Sequence, residues 1–207
     1  MKKNKRVTWA WTEFLTELAM SQIGDLKSEW SVIVTKDKDQ FDETFQILMV
    51  QEDPKSTAIS LPQGNFNKVK GQDGSSAQII LTKYHEDTDC DAFIINQVSA
   101  PKGFGPLLYD IALELSEDSG AMPDRIYVTK DAYKVWEYYM NSRVDVETKQ
   151  LEYGVCPWEP GESDEHGSDH DLWYDSPLSK IYYKRDRSVI KSLTGANKMI
   201  YRVGDLL

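Results

Sequence analysis

The stretch KGFGPLLYDIALEL, residues 102–115, constrains this chain more than any other. The run AFIINQV at 92–98 reads as a strand, and a helical apolar pattern follows the two glycines directly. A glycine-rich turn between a strand and a helix presents backbone N–H groups at the positive end of the helix dipole. Such a turn suits a phosphorylated ligand. Gly-x-Gly alone is a short signal. The competing reading is a connection whose glycines only let strand and helix approach closely.

The flanks place this turn inside a larger pattern. Residues 12–20 set Phe14, Leu15, Leu18 and Ala19 at helical spacing. WSVIVT (30–35), FQILMV (45–50), TAISL (57–61) and AQIILTKY (77–84) read as strands, with Pro62, Gly64, Gly71 and Gly74 punctuating a loop. Short connections between sequential strands favour antiparallel pairing. Beyond the turn, Leu108, Ile111, Ala112 and Leu115 share one face of a helix over 105–118, and Gly120 stands where that helix should stop. RIYVT (125–129) reads as a short strand, and Asp131 as the cap of a second helix striped by Tyr133, Trp136, Tyr139 and Met140. A strand–helix–strand crossover implies at least one parallel pair. The prediction is a single α+β domain over 1–207, with a mixed, mostly antiparallel sheet flanked by helices.

Charge divides the last third. Between 159 and 175 lie seven carboxylates and no lysine or arginine, so about 157–176 reads as an exposed acidic loop. The tail, 178–207, is basic; it contains a strand at 179–184 and a helix at 188–193, and pairing with the acidic loop is the economical use of its charge. His166 and His170 would share a helical face beside Asp164, Asp169 and Asp171, but Gly167 and Ser168 break such a helix, so no metal site is expected. A net charge of −10 excludes a general nucleic-acid surface. No apolar run approaches a membrane span. Glu13 and Glu17 interrupt any signal-peptide core, which points to the cytoplasm. Cys90 and Cys156, far apart, read as reduced thiols.

Gly105-Pro106-Leu107-Leu108-Tyr109-Asp110, followed by Asp131-Ala132, Val135-Trp136 and Tyr138-Tyr139, resembles the GNAT superfamily of N-acetyltransferases. Within it, the chain is most similar to the acetyltransferase-like proteins of tailed bacteriophages. The resemblance covers about the middle quarter of the chain. It implies a sheet splayed between its fourth strand, 92–98, and its fifth, 125–129, with acetyl-CoA in the cleft. Amides of Gly103, Phe104, Gly105 and Leu107 would face the pyrophosphate, helped by the charge of Lys102. The edge at Asn96, Gln97 and Val98 would bond the pantetheine and acetyl carbonyl. Pro106 donates nothing, but proline suits the first helical turn.

Two positions depart from the family pattern. Ala100 stands where the family carries Gln or Arg, and Trp136 where many members carry a tyrosine that protonates the departing thiolate. An indole has no such proton to give. Tyr138 and Tyr139 are the nearest phenols, and Glu86, with Asp87, Asp89 and Asp91, offers a base on the turn before the fourth strand. The resemblance thus implies an acetyltransferase acting on an amine of a protein or small molecule. The alternative is a non-catalytic phage protein of the same fold, a virion component or host-interaction factor located in host cytoplasm or virion.

Overall fold

The computed structural model describes residues 30–52, 66–68, 77–84, 90–101, 104–124, 128–151 and 175–203. Four strands form an antiparallel meander: β1 (Trp30–Lys38), β2 (Asp42–Glu52), β4 (Gln78–Tyr84) and β5 (Phe93–Ser99). A short strand, β3 (Phe66–Lys68), pairs with the end of β2, within a stretch whose glycines predict a loop. Three residues are too few for alternation to register. The predicted helix at 12–20 and strand at 57–61 lie outside the described residues.

The crossover then follows. Helix α1 (Gly105–Leu115) leads through a 3₁₀ turn (Glu117–Ser119) into β6 (Ala121–Pro123), which pairs in parallel with β5. The strand after α1 thus stands at 121–123, ahead of the predicted 125–129. Gly120, at φ 68°, ends the turn, and the three buried residues after it enter the sheet at once. Val128 and Thr129 are not in a strand, and 125–127 are outside the described residues. Helix α2 (Lys130–Ser142) begins at Thr129, whose side chain accepts a hydrogen bond from the Ala132 amide at 3.2 Å. Thr129 is therefore the cap. Asp131, the predicted one, sits in the first turn instead.

Beyond α2 come β7 (Glu147–Gln150), a 3₁₀ turn (Pro177–Ser179), β8 (Lys180–Tyr183), α3 (Ser188–Gly195) and β9 (Met199–Val203). The sheet runs β7-β8-β6-β5-β4-β2-β1-β9, with β9 parallel to β1. It is mixed and mostly antiparallel. The basic tail thus supplies two strands and a helix. Three of its charges pair with the folded body: Lys184 with Glu114 at 2.6 Å, Arg187 with Glu117 at 2.8 Å, Arg185 with Glu147 at 3.2 Å. Cys90 is buried and disulfide-bonded, which corrects the expectation of reduced thiols. Among the described residues no helix is long and apolar enough to cross a membrane.

Helix α1 is the hub of the core. Residues 107–115 are all buried, and the helix packs on β4, β8 and α3. Its apolar stripe joins Val34, Ile47, Ile79 and Leu81 in one cluster, each such side chain stabilising by about 1.5–3 kcal/mol on burial. The two acids in its buried stretch are both paired. Asp110 takes a bidentate hydrogen bond from Arg143, at 2.9 and 3.3 Å, and one from the Tyr139 hydroxyl at 2.6 Å. Glu114 accepts from Lys184 and from the amides of Val189 and Ile190, so it caps α3 from within α1. Helix α1, which carries the glycine turn, is thereby tied to both other helices.

Candidate functional site

The parallel pairing of β5 with β6 lasts three residues, Phe93↔Ala121, Ile94↔Met122 and Ile95↔Pro123, and closes with the Asp124 amide donating to the Ile95 carbonyl at 3.2 Å. Past Ile95 no further pairing joins the two strands among the described residues. On its other side β5 stays paired with β4 as far as Ser99, through a bulge at Asn96 where Ile80 opposes Gln97 but Leu81 opposes Ile95. One edge of residues 96–98 therefore has no ladder partner among the described residues. Bulges of this kind re-aim side chains beside functional sites.

The fork opens into a cleft of about 190 Å³. Asn96, Gln97 and Val98 line one side, with Asp124, Val128 and Thr129 from the segment after β6. Helices α1 and α2 contribute Tyr109, Ala132 and Trp136. The Tyr109 ring meets the Trp136 indole edge-on, with centroids 5.3 Å apart. Trp136 in turn packs at a tilt on Tyr182, with centroids 4.7 Å apart, which fixes it in the core as well as in the cleft.

The predicted site residues divide into three groups. Asn96, Gln97 and Val98 are brought together in the fork as expected. Lys102, Gly103 and Glu86 lie outside the described residues. Phe104, Gly105 and Leu107 form the start of α1, but they do not all offer amides. The Phe104 N–H donates to the Pro101 carbonyl at 3.1 Å, and its ring packs on Trp30. That leaves Gly105 and Leu107, at the first and third helical positions, whose N–H groups have no acceptor within the helix.

Gly105 bears on the two readings of the turn, while Gly103 lies outside the described residues. A Cβ built on it would meet nothing within 4 Å, and its φ is not left-handed. Close packing and special backbone geometry therefore do not require glycine there. Space is left open above the helix start, one turn before Tyr109 on the same face.

The two tyrosines proposed as acids do not face the cleft. Tyr139 is fully buried and bonded to Asp110, and burial together with that carboxylate pushes its phenol well above its ordinary pKa. Tyr138 packs edge-on against Tyr139 and does not line the fork. The phenol that does line it is Tyr109, also raised by burial. Its hydroxyl makes no hydrogen bond to another described residue. Asp124 is the carboxylate of the cleft. Sequence reasoning missed both. Tyr109 was visible as the residue four after Gly105, on its face of the helix, whereas Asp124 had no signal because the strand was predicted after it, at 125–129.

Compared with protein-family models, with curated proteins and with solved structures, the chain matches none of them.

Proposed function

We propose that the chain is an acetyl-CoA-dependent N-acetyltransferase of the GNAT type, acting on an amine of a protein or a small molecule. The observation that carries this reading is the fork. The parallel ladder ends after three residues, leaving one backbone edge at 96–98 without a ladder partner among the described residues, beside the unencumbered start of a helix. A long, thin ligand with a carbonyl at one end and a pyrophosphate at the other matches those two features. The edge of Asn96, Gln97 and Val98 would hold its amides, and the N–H groups of Gly105 and Leu107 its phosphates. The bound thioester supplies an activated acyl group.

The chain's own groups then have distinct tasks. Tyr109, kept protonated by burial, donates a hydrogen bond into the cleft. Asp124 accepts the proton of an incoming amine at the rim. Trp136 fills the position of the family's usual tyrosine and shapes the cleft without taking part in proton transfer.

Calorimetric titration with acetyl-CoA tests the reading. The unmodified protein should bind; Gly105→Leu should not, although its fold is intact by circular dichroism. Absence of binding by the unmodified protein overturns the proposal. Tyr109→Phe should retain binding and lose about 10²–10⁴-fold in the rate of thiol release. Binding without any thiol release, for every amine offered, would favour the non-catalytic reading, a virion or host-interaction protein that keeps the fold.

A further inference from the structure

At the opposite end of α1, about 16 Å from the glycine turn, the inner face of the sheet changes character. The inward row of β1 runs Val32, Val34, Lys36; that of β2 runs Ile47, Phe45, Glu43; that of β4 runs Ile79, Leu81, Lys83. Across these three neighbouring rows the apolar face gives way to charge, at Lys36 on β1, opposite Phe45, and one step further on at Glu43 on β2, opposite Lys83 on β4. The end of α1 and the 3₁₀ turn after it meet this row, and a cavity of about 380 Å³ lies between them. That volume is within the range of small-molecule sites.

The cavity is lined by both charge signs and an apolar floor. Phe45 and Phe93 lie with centroids 5.4 Å apart, and the Lys36 and Lys83 ammonium groups stand 5.0 and 5.9 Å from their respective rings. Lys83 donates to the Ser119 hydroxyl at 2.9 Å and pairs with Asp91. Arg187 pairs with Glu117 across the pocket's edge. Both of those residues hold left-handed backbone, at φ 45° and 48°, though neither is glycine. Such conformations are strained for residues with a side chain and concentrate at functional sites.

The lining carries three cations, Lys36, Lys83 and Arg187, and three carboxylates, Glu43, Glu117 and Asp118. A simple anion would face the acids, and a simple cation the lysines. A ligand with one charge of each sign satisfies both sets. Glu43 is held by Lys36 at 2.6 Å and Lys38 at 3.1 Å, but the pairs of Lys83 and Arg187 are exchangeable: the side chains of Asp91 and Glu117 are 80% and 61% exposed, so their ion pairs are weak. Asp118 has no ion pair among the described residues, and the nearby C-terminal end of α1 favours positive charge.

We propose that this pocket is a binding site for a zwitterionic α-amino acid with an apolar side chain. The carboxylate sits between Lys83 and Arg187, the ammonium against Asp118 and the end of α1, and the side chain on Phe45 and Phe93. The site is separate from the fork and does not depend on the transferase reading.

The test uses L-phenylalanine as probe, with L-phenylalaninamide and N-acetyl-L-phenylalanine as controls lacking one charge each. Calorimetry should show saturable binding of the free amino acid, and each control should bind at least about tenfold more weakly. Asp118→Asn, at an exposed position, and Lys83→Met should each weaken binding about tenfold with the melting temperature of the free protein preserved in the first. Absence of binding at millimolar concentration overturns the proposal, as does equal binding of either control or indifference to both substitutions. Acetyl-CoA binding should survive both variants, so failure here and failure at the fork are told apart.

Discussion

Two glycines of similar appearance have opposite reasons to be there. Gly120 has φ 68°, and a Cβ on it would stand 2.6 Å from the Ile181 side chain and 2.7 Å from the Tyr183 ring. Gly120→Ala should therefore destabilise the protein by at least about 1–3 kcal/mol, read as a lower urea midpoint. Gly105 has neither constraint, and Gly105→Ala should be neutral or stabilising by up to about 1 kcal/mol. An equal loss of stability in both variants would remove the argument that Gly105 is kept open for a ligand. Glu114 is the residue-scale counterpart in the core. Its two oxygens together accept one ammonium and two amide hydrogens, and it has no exposed surface. Glu114→Gln puts an NH₂ group against one of those donors and leaves Lys184 short of a partner. It should cost about 3–5 kcal/mol in chemical denaturation.

At the scale of elements, what was legible in the sequence depended on length and on partner distance. The long strands and α1 declared themselves by alternation or by the stripe of Leu108, Ile111 and Leu115. The parallel pair followed from the strand–helix–strand order, whereas a splay beside it was what the family resemblance implied. The failures were short or polar pieces. β6 has three residues and ends in proline; β7, ETKQ, is an exposed polar edge whose pairing comes from β8 alone. RIYVT looked like the better strand because propensity favours it, but Gly120 had already turned the chain into the sheet. The pairing of Asp110 and Glu114 had no signal in the sequence, because their partners, Arg143 and Lys184, lie 33 and 70 residues away. The entry to α2 gives a prediction at this scale. Thr129 both caps α2 and lines the cleft, so Thr129→Ala should lower stability by about 1 kcal/mol, while Asp131→Ala, away from the cap bond, should change it by less than about 0.5 kcal/mol. Parallel urea titrations decide between the two caps.

For the molecule as a whole, the three helices are joined through one chain of charges: Tyr139, Asp110, Arg143, Asp145, Lys184 and Glu114. Asp145, Lys184 and Tyr139 within it, with Asp186, Tyr109 and Tyr182, set how stability varies with pH at both ends. Burial pushes Asp145 up, but hydrogen bonding and charge from Arg143 outweigh it and hold the carboxyl below its ordinary value; Lys184 does the same for Asp186. A depressed carboxyl contributes stability that is complete above its unfolded pKa, about 4, and is lost as pH falls through the folded one. At the other end, burial would lower Lys184, yet the bonds to Asp186 and Glu114 raise it, and burial raises Tyr109, Tyr139 and Tyr182. A raised group contributes stability that is complete below its unfolded pKa, about 10, and is lost as pH rises through the folded one. The melting temperature should therefore be nearly flat between about pH 5 and 9 and fall on both sides. Asp145→Asn should lower the plateau and flatten the acid limb, because the group that titrates there is gone, while leaving the alkaline limb in place. Asp145 is about a third exposed, so the change in the acid limb should shrink in high salt. An acid limb of unchanged slope in Asp145→Asn would assign acid unfolding to other carboxylates and remove this network from the account.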